Sequence, residues 1–309
     1  MDRDREHIEA IRRQGLEVGG AAEFAARVPA CLPHQVPGPI HALILAVKTL
    51  HTRAALTPLV PLLAPDGFVV SMQNGLEEPK IAELVGQDRT VGAFLTFGGY
   101  YERPGRVIYS GPGSLRVGEM DGRITPRVEM LARVLSDFHP AEATDNIQGF
   151  LWGKLILGAI YFATATVDAD VVEILSRQEC REVLSRLATE TCDIADALSV
   201  RVESVDGFDP RAVRTGPHHD AGAAEAAWAA QIAYWQRGIA RRTGVWRDLA
   251  VRRRRTEATP ILGALLDAAG EVGRPAPRAR TLLRIINEIE EGQRQLDWAN
   301  LQELDRAGG

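Results

Sequence analysis

IHALILAV, at residues 40–47, is a nearly continuous apolar run of strand length. Such a run is typical of a strand buried on both faces of a parallel sheet, where helices cover both sides. A second apolar run, FVVSM at residues 68–72, follows it after a proline-containing helical segment over 52–63. The alternation of buried strands with helices predicts a doubly wound α/β fold.

The alternation continues to about residue 140 and then stops. A helix is predicted at 77–85 and a strand at 91–97, and residues 106–110 and 115–119 are predicted to form a β-hairpin. Only helical periods follow, at 125–137, 146–166, 170–199, 221–252, 256–271 and 277–292. We therefore predict an α/β domain over residues 1–140 and an all-helical domain over 141–309.

A glycine-rich phosphate loop is not evident in the sequence. A dinucleotide-binding sheet normally begins with a strand, a G-x-G-x-x-G turn and a helix. Gly15, Gly19 and Gly20 lack this spacing and follow a predicted helix at 5–14, and Gly111-Pro112-Gly113 leads into a strand. We therefore expect an incomplete Rossmann-like parallel sheet that lacks its first strand–turn–helix unit.

The composition is that of an ordinary globular protein. Its 309 residues are 45% hydrophobic and 25% charged, and the formal net charge of -5 argues against a nucleic-acid partner. The basic run at 252–255 lies in a helical pattern and is interpreted as a solvated helix face. Residues 2–6 are all charged, and the longest apolar stretches are strand-sized or interrupted by charge. These features predict a cytoplasmic protein without a secretory signal or membrane span.

Neither cysteine nor histidine spacing predicts a metal site. Cys31, Cys180 and Cys192 are scattered without C-x-x-C spacing, so they indicate neither a disulfide framework nor a zinc site. His218-His219-Asp220 offers adjacent side chains with no evident third ligand, and adjacent residues rarely converge on one ion.

Two groups of polar residues follow the predicted buried strands. Lys48 follows the first strand, and Gln73-Asn74-Gly75 follows the second. Ligands of open α/β sheets bind outside the carboxyl ends of the strands, so both groups are candidates for a cofactor site. A solvated strand-end lysine and an Asn-Gly turn explain the same residues equally well.

Lys154 is the most informative residue of the helical half. It lies in FLWGKLILGAIYF at 150–162, a helix that is apolar nearly all round and therefore belongs in a core. Desolvation penalises an ammonium there, which favours a functional lysine that can protonate a carbonyl oxygen. Thr256-Glu257 is the candidate partner, although a Thr-Glu pair at a helix start is more often a cap.

These segments together resemble the ketopantoate reductase family. The resemblance rests on AVK at 46–48, SMQNGL at 71–76, LWGKL at 151–155, and Asp248 with RTE at 255–257. It implies a Rossmann-like domain and a helical domain similar to the C-terminal domain of 6-phosphogluconate dehydrogenase, with the site between them. It also implies NADPH-dependent reduction of 2-dehydropantoate to pantoate, a step of pantothenate biosynthesis.

The resemblance also implies roles for individual residues. Lys154 matches the general acid, and Glu257 matches the active-site glutamate that binds substrate and helps orient the lysine. Lys48 and Asn74 match cofactor-side residues, Asn74 also touching the substrate. Arg3 is placed to meet the 2′-phosphate of NADPH, but Asp2 beside it favours NAD, so both cofactors stay open. Two further residues, Thr243 and Asp248, are candidate substrate-binding groups.

Three positions depart from the family pattern. Gly158 and Phe162 stand where the family has asparagines, and Gly244 stands where it has a substrate-binding serine, with only Thr243 nearby. A pocket without these groups predicts a different, more apolar 2-oxo acid. A reductase of the same build that acts on another substrate, such as an opine-like or 3-hydroxy acid, is a second alternative. A non-catalytic relative whose helical domain serves association is the remaining alternative, and a homodimer is left open for the helix at 221–235.

Overall fold

The computed structural model describes residues 1–217, 219–237 and 241–308. The chain divides into two compact units. The first unit is Met1–Gln73 with Glu77–Ile147, and the second is Asn74–Leu76 with Gln148–Gly309.

Strands dominate the first unit, and helices separate several of them. Asp4 caps the first helix by accepting from the backbone amides of Glu6 and His7, and Thr125 caps the last with Pro126 at its first position. The elements are α1 (Arg5–Gln14), β1 (Leu16–Gly20), β2 (Phe24–Ala26), β3 (Ile40–Leu45), α2 (Thr52–Leu56), β4 (Leu63–Ser71), α3 (Glu78–Val85), β5 (Thr90–Leu95), β6 (Gly99–Arg103), β7 (Arg106–Tyr109), β8 (Leu115–Glu119), α4 (Pro126–Leu135) and β9 (Glu142–Ala143).

The strands form two sheets. One has the order β3-β4-β5-β8-β9, in which β3, β4 and β5 are parallel and β8 is antiparallel to β5. The other has the order β2-β1-β7-β6, and its glycine pair Gly19-Gly20 ends β1 and leads into β2 rather than into a helix. The Rossmann-like α/β prediction is confirmed for this mixed sheet with its helices.

The expectation that residues 40–47 are buried on both faces is wrong. β3 is the edge strand of its sheet, and Leu43 and Leu45 are buried while His41, Ala42 and Ile44 are exposed. Successive side chains of a strand point to opposite faces of the sheet, and only the face that carries Leu43 and Leu45 is covered here. The alternation is not visible in the sequence because both sets are apolar.

The hairpin was predicted between the wrong strands. β7 pairs with β6 across a turn at Pro104-Gly105, where Gly105 has a φ of 80°. β8 pairs instead with β5 in the other sheet. The Gly111-Pro112-Gly113 segment therefore connects two sheets and does not close a hairpin.

Proline limits the helix predicted over 52–63. α2 ends at Leu56, and a 3₁₀ helix covers Thr57–Leu62, because Pro58 and Pro61 lack the amide hydrogen of a helical ladder.

The second unit is helical, as predicted. Its helices are α5 (Ile147–Thr164), α6 (Val171–Ser176), α7 (Gln178–Ala197), α8 (Ala221–Arg237), α9 (Gly244–Trp246), α10 (Ala258–Glu271), α11 (Pro277–Glu290) and α12 (Ala299–Arg306). The predicted helix at 221–252 is wrong as one element, since α8 ends at Arg237 and a π-helical turn covers Arg247–Arg252. α12 was not predicted. Trp228 of α8 lies in the unit's core at 3% exposure.

α5 corrects the expectation that no apolar stretch could cross a bilayer. Its 18 residues are long and apolar enough by length and composition, and it is the one such helix in the described ranges. Most of it is buried inside the protein, and Leu155, Ile156 and Ile160 lie in the core of the second unit. This burial is typical of a core helix.

Candidate active site

One stripe of α5 remains partly exposed on a helix that is otherwise buried apart from Gln148 near its start. It consists of Phe150, Lys154, Leu157, Gly158 and Tyr161, which recur at three- and four-residue intervals and so share a face. Lys154 lies in the middle of this stripe. Its aliphatic stem can pack against apolar surface while its ammonium stays within reach of other polar groups.

Gly153 determines what packs beside Lys154. A Cβ at this position would lie 2.2 Å from the carbonyl oxygen of Glu203. The backbone at Glu203 therefore approaches α5 so closely that only glycine fits at position 153. The amide of Glu203 also donates a hydrogen bond to the Gly149 carbonyl over 3.0 Å. The following turn carries Asp206, whose negative charge acts on Lys154.

The turn at Asp206 is held by paired backbone hydrogen bonds. The amide of Val205 donates to the carbonyl of Phe208 over 2.8 Å, and the reverse bond measures 2.9 Å. Asp206 has a φ of 47°, a left-handed conformation that aspartate tolerates better than most residues. Phe208, fully buried, anchors the turn in the core.

Asn74 is a direct hydrogen-bond partner of Lys154. Lys154 Nζ donates to Asn74 Oδ1 over 2.7 Å. Gly75 follows with a φ of 79°, and a Cβ there would lie 3.0 Å from Ile261 Cγ1, so the turn sits tightly against α10. The Asn74 amide group that carries the hydrogens makes no hydrogen bond to the described residues and is available to a ligand.

Thr256 and Glu257 have different roles: Thr256 stabilises the start of α10, and Glu257 acts on Lys154. Thr256 is the structural residue: its Oγ1 accepts from the Ala258 amide and donates to Glu290 Oε1. Glu257 immediately precedes α10, and its charge acts on Lys154. Glu257 is the N-cap residue but its side chain makes no capping hydrogen bond, and its charge acts on the lysine instead.

Burial lowers the pKa of Lys154 from its usual value of 10.5 to about 8, although the charges of Glu257 and Asp206 oppose this shift. The ammonium is thus still mainly protonated at pH 7 but gives up its proton far more readily than an exposed lysine. A group with these properties is suited to general acid catalysis near neutral pH.

The sequence analysis did not identify a hydrogen-bonded aromatic pair, Tyr161 and Trp235, of which Tyr161 lies on the stripe two helical turns after Lys154. The Tyr161 hydroxyl donates to Gln231 Oε1 over 2.5 Å and accepts from Trp235 Nε1 over 3.0 Å. The rings of Tyr161 and Trp235 meet edge to face with centroids 5.4 Å apart. The signal was available, because Tyr161 follows Lys154 by seven residues and therefore lies on the same helix face.

The proposed substrate groups Thr243 and Asp248 lie in a different local environment. Thr243 is buried and caps α9 by accepting from the Trp246 amide over 3.1 Å. Asp248 lies in the π-helical turn and accepts from the guanidinium groups of Arg252 and Arg254. The contacts that the structure gives for these two residues do not include Lys154.

The cofactor candidates of the first unit are exposed or lie at the sheet edge. Lys48 follows β3 and is exposed, with no ion pair to the described residues. Gln73 follows β4, and its Nε2 donates to the Val47 carbonyl over 2.8 Å, which ties the two strand ends together. Arg3 is exposed and directly precedes α1.

The histidine segment shows no metal-binding geometry in its described part. His218 lies outside the described residues. His219 Nδ1 lies 2.8 Å from the Arg214 carbonyl, and Asp220 accepts from the amides of Gly222 and Ala223 at the start of α8.

Family models cover both units of the chain. The model described as ketopantoate reductase PanE/ApbA matches residues 1–122, and the model of the C-terminal domain of the same family matches residues 146–290. The chain belongs to the ketopantoate reductase family. The family that the sequence motifs indicate is thereby confirmed.

Individual relatives agree with this assignment. A 2-dehydropantoate 2-reductase of Archaeoglobus fulgidus is 28% identical over 287 residues, which are 92% of this chain and 87% of that protein. Among solved structures, a PanE/ApbA family ketopantoate reductase from Ralstonia eutropha JMP134 has a TM-score of 0.75 at 24% identity, covering 94% of this chain and 89% of its own. A D-mandelate dehydrogenase solved with NADH has a TM-score of 0.75 at 20% identity, covering 95% and 90%.

This ketopantoate reductase family member is an oxidoreductase that acts on CH–OH donors, and its fold is of the Rossmann nucleotide-binding type. Of the three departures from the family pattern, only one lies on the exposed stripe. Gly158 belongs to that stripe, Phe162 is buried in the core at 5% exposure, and Gly244 is an exposed glycine that begins α9.

Proposed function

We propose that the protein reduces the carbonyl group of a 2-oxo acid with a nicotinamide cofactor, with Lys154 as the general acid. The substrate is 2-dehydropantoate, which gives pantoate, or a related 2-oxo acid. The observation that carries this proposal is the hydrogen bond from Lys154 Nζ to Asn74 Oδ1 on a partly exposed helix face, next to the charges of Glu257 and Asp206.

The reaction balances as R–CO–COO⁻ + NADPH + H⁺ → R–CHOH–COO⁻ + NADP⁺. When bound, the nicotinamide supplies the hydride that forms the new C–H bond at the carbonyl carbon. The electron pair of the broken C=O π bond remains on oxygen, and Lys154 Nζ gives that oxygen a proton. Glu257 stabilises the protonated lysine before the transfer, and Asn74 fixes the direction of its N–H bonds.

The first unit supports the nicotinamide assignment at the carboxyl ends of β3 and β4. Gln73 Oε1 is buried and has no hydrogen-bond partner in the described part of the chain. A buried acceptor of this kind fits a ribose hydroxyl or a carboxamide, both of which donate. The exposed ammonium of Lys48 after β3 fits a phosphate group. Gln73 and Lys48 are therefore the residues proposed to hold the cofactor here.

NADPH is the proposed cofactor and NADH the alternative. The support for NADPH is the exposed guanidinium of Arg3, which has no partner in the described ranges and suits a 2′-phosphate. We expect Arg3→Ala to raise the KM for NADPH without changing the KM for NADH. Equal effects on both cofactors would contradict the assignment of Arg3.

A kinetic experiment tests the proposed function. Oxidation of NADPH and NADH is followed with pyruvate, phenylpyruvate and 2-dehydropantoate as substrates, for the wild type and for Lys154→Arg. This substitution keeps the positive charge but not a proton that can be released near neutral pH, since arginine stays protonated. We expect kcat to fall by about 10²–10⁴-fold. Failure of the folded wild type to oxidise either cofactor with any 2-oxo acid would overturn the proposal.

A further inference from the structure

The surface of α5 beyond Lys154 is open and apolar. Gly158 lies one helical turn after Lys154, and within the described ranges no heavy atom of another segment lies within 4 Å of a Cβ placed there. Leu157 and Tyr161 flank it on the same partly exposed stripe. The described residues therefore leave the volume beside Gly158 unfilled, one helical turn from Lys154.

Aromatic carbon forms the far end of this surface. Tyr161 is hydrogen-bonded through its hydroxyl to Gln231 and to Trp235, so both its donor proton and the indole N–H are engaged within the protein. A ligand can therefore contact these two residues mainly through the carbon surface of their rings. Burial raises the pKa of Tyr161 well above its usual value of 10, so the side chain stays an uncharged phenol.

Two of the polar groups near the stripe, Asn74 and Glu257, act on Lys154, whereas the charge of Asp206 acts on both Lys154 and Tyr161. The surface thus becomes less polar along α5, from the hydrogen-bonded ammonium of Lys154 past Gly158 to the rings of Tyr161 and Trp235. A 2-oxo acid has the same polarity, with its carbonyl and carboxylate at one end and its substituent at the other.

We infer that this site selects 2-oxo acids with a bulky apolar substituent, aromatic ones above all, over 2-oxo acids that carry a hydroxyl group. The inference rests on the proposed function and specifies its substrate class. With the carbonyl at Lys154, the substituent lies over Gly158 and against Tyr161 and Trp235. A hydroxyl group in that position loses its bonds to water and finds no free partner among these residues, which lowers its kcat/KM.

A substrate panel tests the selectivity. The kcat/KM values are measured for benzoylformate, phenylpyruvate, pyruvate and 2-dehydropantoate, the last of which carries a hydroxyl group. We expect the aromatic acids to exceed 2-dehydropantoate by at least about 10-fold, since one well-placed apolar group contributes a factor of 10–200. A kcat/KM for 2-dehydropantoate equal to or above that of both aromatic acids would overturn the inference and leave the proposed function intact.

Substitution of Gly158 tests whether the apolar substituent of the substrate lies over this residue. Gly158→Leu fills the open volume, so we expect benzoylformate and phenylpyruvate to lose at least about 10-fold in kcat/KM while pyruvate changes by less than about 3-fold. Gly158→Ala gives a smaller loss of the same kind and serves if the leucine variant does not fold. Gly263→Leu is the matched control, because Gly263 is a partly exposed glycine of α10 with equally open space. Retention of the aromatic preference in both Gly158 variants contradicts the assigned position of the substituent.

Calorimetric binding separates the failure of this inference from failure of the proposed function. Benzoylformate and 2-dehydropantoate are titrated into the wild type and into Gly158→Leu. Tighter binding of benzoylformate, lost in the variant, supports the inference even if no acid is reduced, and in that case the proposed function alone fails. Equal binding of the two acids to the wild type, together with equal kcat/KM values, overturns the inference.

Discussion

Lys154 Nζ donates a hydrogen bond to Asn74 Oδ1 over 2.7 Å, although 80 positions separate the two residues in the chain. This contact joins the two motifs that the sequence analysis selected independently, the lysine of an apolar helix and the amide after a buried strand. It also fixes one N–H of the ammonium toward Asn74, so its remaining protons are oriented toward other groups.

Removal of the Asn74 side chain tests this orientation. In Asn74→Ala the ammonium loses an acceptor, and a hydrogen bond to a charged group contributes about 1.5–3 kcal/mol. We expect kcat for 2-oxo acid reduction to fall by about 10-fold or more, and the pKa of Lys154 to decrease. Asn287→Ala is the control, since Asn287 accepts from Thr259 on the surface. An unchanged kcat in Asn74→Ala would argue against its positioning role.

Glu257 is expected to set the pH range of the reaction. Its negative charge raises the pKa of Lys154 and so opposes the effect of burial. In Glu257→Gln that pKa therefore decreases, and the fall of kcat/KM at high pH moves to lower pH by about one unit. Glu271→Gln, at the exposed C-terminal end of the same helix, is the control. Identical pH profiles for the two variants would show that Glu257 does not act on the lysine.

Features that depend on local sequence pattern could be predicted from the sequence alone. Apolar runs located β3 and β4, and the single lysine in an apolar helix identified Lys154. Strand partners could not be predicted, because β7 pairs with β6 or β8 according to which sheet each strand joins, and only tertiary packing decides this. The Tyr161–Trp235 pair was missed because it joins α5 to α8.

Two glycines of α5 should respond oppositely to alanine. At Gly153 a Cβ would lie 2.2 Å from the Glu203 carbonyl oxygen, so Gly153→Ala forces backbone apart and should cost about 2 kcal/mol or more. At Gly158 the space is open, and Gly158→Ala should stabilise the helix by about 0.5–1 kcal/mol. Urea denaturation measures both. The same sign for both variants would contradict the packing described for Gly153 or the open space at Gly158.

Glu78 should make stability depend on pH. Burial raises its pKa from 4.5 to about 7, so between these values the folded protein binds more protons than the unfolded chain, and stability falls as pH rises. The penalty is absent below pH 4.5 and complete above pH 7. We expect Glu78→Gln to stabilise the protein by about 2–3 kcal/mol at pH 8 and to have little effect at pH 4. Glu83→Gln, on the exposed face of the same helix, should show no such pH dependence, and a Glu78→Gln effect that is equal at both pH values would contradict the assigned pKa.

The central claim is that Lys154 protonates the substrate carbonyl, and the pH dependence of kcat/KM tests it most directly. An acid catalyst must be protonated, so the rate of 2-oxo acid reduction should be constant below an apparent pKa of about 8 and fall above it. The reverse oxidation needs the neutral amine and should rise over the same range. Lys154→Met should abolish both rates while the fold is retained. A reduction rate that stays constant up to pH 10, or that survives in Lys154→Met, would contradict the claim.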